Sequence, residues 1–235
     1  MLLDLLLLGV IGLNVFALAL VLLRAPLYRV RVYRPMLLNL ALSVLPVLVL
    51  TAVVVVDGIL LAGGAPPWVV GVVSGAGLLA WVVLLPNAGY LVTELNLNHR
   101  REGEDVPLWY DIVAVLTLAM SGVLNTVVNV FLAQALYAVA RYPHDDAPFR
   151  RTGSWLVVAG LLLLVAFGIY LGRYVRFNSW DLLHPLRFAR RLATHFGGRG
   201  VARDALLFCV LHATFLALMY VIVVGPITTL LVAGE

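Results

Sequence analysis

Residues 109–140 read WYDIVAVLTLAMSGVLNTVVNVFLAQALYAVA and contain a single charged residue, Asp111. An apolar run of this length exceeds the roughly 20 residues that an α-helix needs to cross a hydrocarbon core of about 30 Å. The rest of the chain repeats the pattern, since 63% of the residues are hydrophobic, only 12% are charged and the mean hydropathy is +1.04. Soluble domains carry about 25% charged residues. The sequence therefore indicates an all-α, integral membrane protein that crosses the bilayer several times.

Apolar runs separated by charge clusters predict a bundle of about six transmembrane helices, with a seventh left open. They are assigned to a single transmembrane domain, residues 1–235, because no connection is long enough for a soluble domain. The longest run should tilt or protrude from the bilayer. The predicted spans are residues 2–23, 36–56, 68–92, 109–140, 154–171 and 205–232.

The distribution of basic residues predicts the orientation of the chain. All 16 basic residues are arginine, and 13 of them lie in the connections 24–35, 93–108 and 172–204. By the positive-inside rule these connections face the cytoplasm, which puts both termini on the extracytoplasmic side of the cell membrane. The arginines lie between apolar runs rather than on one soluble surface, so we expect no nucleic-acid partner. The single cysteine, Cys209, excludes an intrachain disulfide.

Three polar segments are predicted on the cytoplasmic side of the membrane. They are LPNAGYLVTE at residues 85–94, PLWYD at 107–111 and GRYVRFNSWD at 172–181. An interfacial aromatic belt accounts for their Trp and Tyr residues. It does not account for carboxylates, amides and arginines that arrive at one depth from three helices. The proline at the first segment also predicts irregular backbone, which survives at membrane depth only beside protein or a water-filled cavity.

These segments resemble the DUF1361 family of small polytopic membrane proteins of unknown function. The family pattern contains LPN-A-P-Y-x-x-T-D, then W-Y-D, then G-R-F-x-R-x-N-S-W-D. This chain has Gly89 in place of the proline, Glu94 in place of the aspartate and Tyr174 in place of the phenylalanine. The resemblance implies a membrane fold and a set of residues, but no reaction.

Each residue type in the three segments suggests a role. The carboxylates Asp111, Glu94 and Asp181 are candidates for catalysis, or for holding a divalent cation. Arg173 and Arg176 are candidates for binding an anionic group, because guanidinium binds phosphate and carboxylate with paired hydrogen bonds. In a structural alternative, one of these two arginines instead forms an internal clamp with a buried Asp111. The other substrate-binding candidates are Asn87, Thr93, Asn178, Ser179 and Trp180.

The favoured function is a membrane-embedded enzyme, or a binder, of an anionic lipid-linked or amphiphilic substrate at the cytoplasmic face. A small transporter or channel is the alternative, because Asn125 and Asn129 lie near Asp111 on one face of the fourth span. The preferred interpretation of the same asparagines is that they form hydrogen bonds between helices. A third alternative is a membrane scaffold whose polar cluster is structural. The expected partners are the lipid bilayer and an anionic lipid, and a homo-oligomer is left open.

The connection before the sixth span has a pattern of its own. Residues 186–204 interleave five arginines with Leu186, Phe188, Leu192 and Phe196. A basic amphipathic segment of this kind is typical of a helix that lies on an anionic membrane surface.

Overall fold

The computed structural model describes residues 2–96, 104–177 and 184–233, and these residues are helical apart from short connections, with no strand among them. Six helical segments within the described ranges are long and apolar enough to cross a membrane. The six predicted spans are confirmed, with ends that shift by a few residues. The spanning segments are Leu2–Tyr28, Arg34–Ala62, Pro67–Leu95, Leu108–Arg141, Thr152–Val175 and Val201–Thr229.

Local geometry divides two of these segments further. The third consists of α3, the four-residue α4 and a 3₁₀ segment, and the fifth ends in a π-helical segment. The elements are α1 (Leu2–Tyr28), α2 (Arg34–Ala62), α3 (Pro67–Leu84), α4 (Pro86–Gly89), the 3₁₀ segment Tyr90–Asn96, α5 (Leu108–Arg141), α6 (Thr152–Tyr170), the π-helical segment Leu171–Val175, α7 (Pro185–Phe196) and α8 (Val201–Ala233).

Helix α5 lies at the centre of the bundle and packs against α1, α2, α4, α6 and α8. In its most apolar window 78% of the residues are buried, against 11% in α2. It is also the least hydropathic of the six spanning segments. Lipid chains cannot accept or donate hydrogen bonds, so the most polar helix is the one that the others surround.

The asparagines of α5 bind neighbouring helices. Asn125 and Asn14 of α1 exchange side-chain hydrogen bonds of 2.9 and 3.1 Å, and Asn125 Nδ2 also donates to Ser43 Oγ of α2 at 2.9 Å. Ser43 in turn donates to the carbonyl oxygen of Ala88 in α4, at 2.7 Å. The side-chain amide of Asn125 thus connects α5 to α1 and α2, and Ser43 extends this connection to the short helix α4.

Asn129 lies one turn further along α5. Its Oδ1 accepts a 2.9 Å hydrogen bond from the indole nitrogen of Trp81 in α3, and its Nδ2 donates to the backbone oxygen of Asn125. Both asparagines are almost fully buried. Their contacts match the interpretation of this stripe as hydrogen-bonding groups between helices.

The irregular backbone predicted at Pro86 is present. Helix α3 ends at Leu84, and the chain continues through α4 into the 3₁₀ segment. Because proline has no N–H to donate, the helix cannot pass through this point with its hydrogen bonds intact. Ser43 satisfies one of the carbonyl groups in this region, that of Ala88.

Candidate functional site

The described polar residues from the three predicted segments meet at one end of the bundle, where α1 and α6 end and α2 and α5 begin. We call this the arginine-rich end. The side chains form two separate arrangements. Asp111 belongs to a buried ion cluster, whereas Asn87, Arg173 and Arg176 line a cavity.

The buried ion cluster forms around Asp111, in the first turn of α5. Its side chain has no solvent exposure, and its Oδ1 lies 2.9 Å from Nε of Arg24 in α1. Nη2 of Arg24 also lies 2.8 Å from Oε2 of Glu104. The expectation that Arg173 or Arg176 pairs with Asp111 is therefore wrong, since a guanidinium group from α1 fills that role.

Glu94 and Thr93, in the 3₁₀ segment, are bonded to nearby protein groups. Oε1 of Glu94 accepts a 2.7 Å hydrogen bond from the side-chain amide of Asn39 in α2. The hydroxyl of Thr93 donates to the backbone oxygen of Tyr90 at 2.8 Å. Asn39 also lines the cavity, so Glu94 is connected to the cavity wall through one side chain.

The cavity lies between α2, the α3–α4 break and α6, and has a volume of about 830 Å³. This volume falls within the range of sites that bind small molecules. Its polar lining includes Asn39, Asn87, Arg173 and Arg176, and its apolar lining includes Leu42, Leu164 and Phe167. The lining residues are Asn39, Leu42, Val82, Val83, Pro86, Asn87, Tyr90, Leu164, Phe167, Gly168, Leu171, Gly172, Arg173, Arg176, Phe177 and Phe188.

Two glycines allow α6 and the segment that follows it to approach the α3–α4 break closely. A Cβ atom on Gly168 would lie 2.3 Å from Cβ of Pro86, and one on Gly172 would lie 2.8 Å from the ring of Tyr90. Neither distance is compatible with a side chain larger than hydrogen. These glycines therefore set the spacing of two cavity walls.

The two cavity arginines follow α6. Arg173 lies in the π-helical segment, and Arg176 comes directly after it in the left-handed backbone conformation, with φ 57° and ψ 43°. Both side chains are exposed, and neither forms an ion pair with another residue in the described ranges. Short π-helical segments are frequent at functional sites. A non-glycine residue in this strained conformation beside a cavity fits that association.

Four candidates, Asn178, Ser179, Trp180 and Asp181, lie outside the described residues. Within residues 2–96, 104–177 and 184–233, no group of three or more His, Cys, Asp or Glu side chains is arranged to hold a metal ion. The cation site expected from Asp111, Glu94 and Asp181 stays a prediction. Its two described members are both bonded to protein groups, Arg24 and Asn39.

The structure also identifies two residues that the sequence did not single out for the site. Arg24 lies in the connection 24–35, whose arginines indicate the orientation of the chain, and Asn39 lies in the second predicted span, residues 36–56. The available signal for Arg24 was its position directly after the apolar run 2–23, because an arginine in a membrane helix requires an anionic partner. Nothing in the sequence indicated which carboxylate that partner would be.

Fold and composition define a multi-pass, all-helical membrane protein with a cavity at one end of the bundle. The chain belongs to the family described as "Protein of unknown function (DUF1361)", whose model matches residues 38–219. The matched range includes all three polar segments and excludes the whole of α1. Comparisons with curated proteins and with solved structures give no match.

Proposed function

We propose that this protein binds an anionic amphiphile, such as a lipid or a lipid-linked intermediate, in the cavity between α2, the α3–α4 break and α6. The observation that carries the proposal is the contrast between the two ends of the cavity. Arg173 and Arg176 are exposed at one end, and Leu164 lines the wall nine residues before Arg173. At about 1.5 Å per residue, Leu164 in α6 and Arg173 in the π-helical segment that follows it are about 13 Å apart along the fifth spanning segment.

This arrangement suits a ligand with a charged head and an apolar tail. An exposed pair of guanidinium groups would bind a phosphate or carboxylate through charge-assisted hydrogen bonds. The side chains of Leu42, Leu164 and Phe167 provide an apolar wall for a hydrocarbon chain. Asn87 is a cavity-lining amide suited to orient the head group.

The proposal favours binding over catalysis by Asp111. The Asp111 carboxylate is fully buried, is paired with Arg24 and does not line the cavity. A catalytic version would depend on Glu94, which is bonded to the cavity residue Asn39. The transporter alternative has weaker support, because Asn125 and Asn129 in the centre of α5 are engaged in hydrogen bonds between helices.

The test is native mass spectrometry of protein purified in a mild detergent. Wild type is compared with Arg176→Ala, which removes one guanidinium group from the cavity, and with Leu164→Trp, which fills the apolar end without changing charge. Arg150→Ala is the matched control, because Arg150 is exposed in the short helical turn Pro148–Arg150 and does not line the cavity.

An anionic lipid or lipid-linked compound is expected to copurify with wild type and with Arg150→Ala. Its occupancy should fall in both Arg176→Ala and Leu164→Trp. Equal occupancy in all four proteins, each with an unchanged unfolding temperature, would contradict the proposal. Loss in Arg176→Ala alone would indicate a binding site for a small anion without a hydrocarbon tail.

A further inference from the structure

A second basic concavity lies outside the proposed binding cavity, between the π-helical segment and α7. It has a volume of about 500 Å³, and three arginines are among the residues that line it. We call it the α7 groove. Its lining residues are Tyr174, Val175, Arg187, Arg190, Arg191, Thr194 and His195.

Helix α7 is held against the bundle by its apolar face. Phe188, Leu192 and Phe196 pack against a cluster that includes Tyr170 and Leu171. The rings of Phe177 and Phe188 are 4.6 Å apart, centre to centre. The arginines of α7 are therefore presented by a helix fixed to the end of α6 and the start of α8.

The arginines of the groove recur at helical spacing. Arg187, Arg190 and Arg191 are three and four residues apart, so they share one side of α7. All three are exposed, and none forms an ion pair with a carboxylate in the described part of the chain. Arg191 also lies over the ring of Phe177, 6.0 Å from its centre. The groove therefore carries positive charge that no described carboxylate neutralises.

Two further side chains complete the polar wall of the groove. Nε2 of His195 lies 2.8 Å from the hydroxyl of Tyr170, a hydrogen bond that ties the end of α7 to α6. The hydroxyl of Thr194 donates its one hydrogen bond to the backbone oxygen of Arg190, at 2.9 Å, so the arginines remain the donors of the groove. The groove is thus a shallow concavity, and the Tyr170–His195 hydrogen bond fixes one end of it.

We propose that the α7 groove binds the phosphate of an anionic phospholipid head group. Guanidinium groups and phosphate oxygens are complementary in charge and hydrogen-bond geometry. The position of the groove favours a lipid over a soluble phosphate compound, because α7 follows the fifth spanning segment and precedes the sixth. Leu186, in the first turn of α7, is 87% exposed and offers an apolar contact beside the arginines. This site does not depend on the cavity proposed above.

The test is a titration with phosphatidylglycerol in a neutral detergent, followed by native mass spectrometry. The groove variant is Arg187→Gln with Arg190→Gln. Its matched control is Arg199→Gln with Arg203→Gln, which removes the same charge from two exposed arginines that do not line the groove. Phosphatidylcholine and soluble glycerol 3-phosphate are titrated in parallel. Arg176→Ala serves to separate this site from the cavity.

A basic side chain near an anionic membrane surface strengthens binding by roughly fivefold, so we expect the groove variant to bind phosphatidylglycerol about 25-fold more weakly than wild type. The control variant and Arg176→Ala should bind phosphatidylglycerol in the α7 groove as tightly as wild type does. Equal weakening in the groove and control variants would overturn the proposal, because it would show a general effect of net charge. Glycerol 3-phosphate binding as tightly as phosphatidylglycerol would overturn the assignment to a lipid.

Folding of the variants is controlled independently. The substituted arginines are exposed, and unfolding temperatures are measured for every protein in the same detergent. If the groove variant is unstable, Arg187→Lys with Arg190→Lys keeps the charge and should retain most of the binding. If the lysine variant is folded and does not bind, binding depends on the geometry of the guanidinium groups. If the wild-type protein binds phosphatidylglycerol no more tightly than phosphatidylcholine, the proposal is overturned.

Discussion

The carboxylate of Asp111 and the guanidinium group of Arg24 form a buried ion pair that joins the first turn of α5 to the last part of α1. Their Oδ1 and Nε atoms are 2.9 Å apart, and Nη2 of Arg24 also reaches Glu104 at 2.8 Å. Asp111 has no exposure and Arg24 is 5% exposed. Water barely reaches either group, so removing one leaves the other charge buried with fewer partners, which should destabilise the fold.

Asp111→Ala is expected to destabilise the protein by about 3–5 kcal/mol, because it leaves the Arg24 charge buried without this partner. Thermal unfolding in detergent measures the effect. Replacing the three charges together, with Arg24→Met, Asp111→Leu and Glu104→Gln, should restore most of the stability. If Asp111→Ala unfolds at the wild-type temperature, the ion pair does not stabilise the fold, and a catalytic role for Asp111 is favoured again.

Asn125→Leu should also lower stability, because it removes hydrogen bonds to Asn14 and Ser43 at the centre of the bundle. Leaving buried polar partners unsatisfied costs about 1–3 kcal/mol. Thr51→Leu is a suitable control, since Thr51 is exposed and bonds only within its own helix. If Asn125 belongs instead to an ion pathway, liposomes that contain the wild-type protein should conduct ions, and liposomes that contain Asn125→Leu should not.

The transmembrane architecture could be predicted from sequence because span length and apolar composition are local properties. Six spans followed from the apolar runs, and the break at Pro86 followed from the missing N–H group of proline. The central position of α5 was not predicted. It depends on where Asn125 and Asn129 find partners, and those partners are on other helices.

The residues of the candidate site stay a prediction. The motifs point to Asn87, Arg173 and Arg176, and all three line one cavity. The partner of Asp111 was wrong because Arg24 lies 87 residues away in sequence. Charge counts do not specify which side of α1 faces α5. Close helix approaches such as that at Gly168 are likewise set by three-dimensional packing.

The spacing of the cavity walls can be tested at Gly168. Gly168→Ala places a methyl group against Pro86, where a Cβ atom would be 2.3 Å from the proline Cβ. Overpacking of this kind costs about 1–3 kcal/mol and should also reduce ligand occupancy. Gly160→Ala on the same helix is the control, because a Cβ atom there meets no other atom within 4 Å. A Gly168→Ala protein as stable as the control would contradict the packing argument.

The opposite end of the bundle supplies a pH-dependent prediction. In the connection between α5 and α6, the Arg151 guanidinium group lowers the pKa of Asp145 below its ordinary value of 3.8, and a hydrogen bond from the backbone N–H of Ala147 acts in the same direction. A carboxyl group whose pKa is lower in the folded chain than in the unfolded chain stabilises the fold at pH values above its ordinary pKa. This contribution to stability is lost as the pH falls through the pKa of the folded chain.

Wild-type protein and Asp145→Asn should therefore differ in unfolding temperature at neutral pH and converge as the pH falls through the lowered pKa of Asp145 in the folded chain. The difference should be small, because surface ion pairs contribute little. Thermal unfolding measured from neutral to acidic pH tests the prediction, and Asp146→Asn is the neighbouring control. A constant difference between Asp145→Asn and wild type across the whole range would show that Asp145 acts through something other than its charge.

Arg176→Gly separates the binding role of Arg176 from its structural role. The residue has φ 57°, a conformation that costs an L-amino acid about 1–2 kcal/mol and costs glycine almost nothing. If the arginine is retained for its charge, the glycine variant should be at least as stable as wild type and yet bind the anionic ligand more weakly. Arg173→Gly, in the helical segment just before it, should lose both binding and stability.

The measurements are the unfolding temperature and the ligand occupancy of the same samples. A glycine variant that is less stable than wild type and keeps its ligand would show that Arg176 serves the fold rather than the cavity.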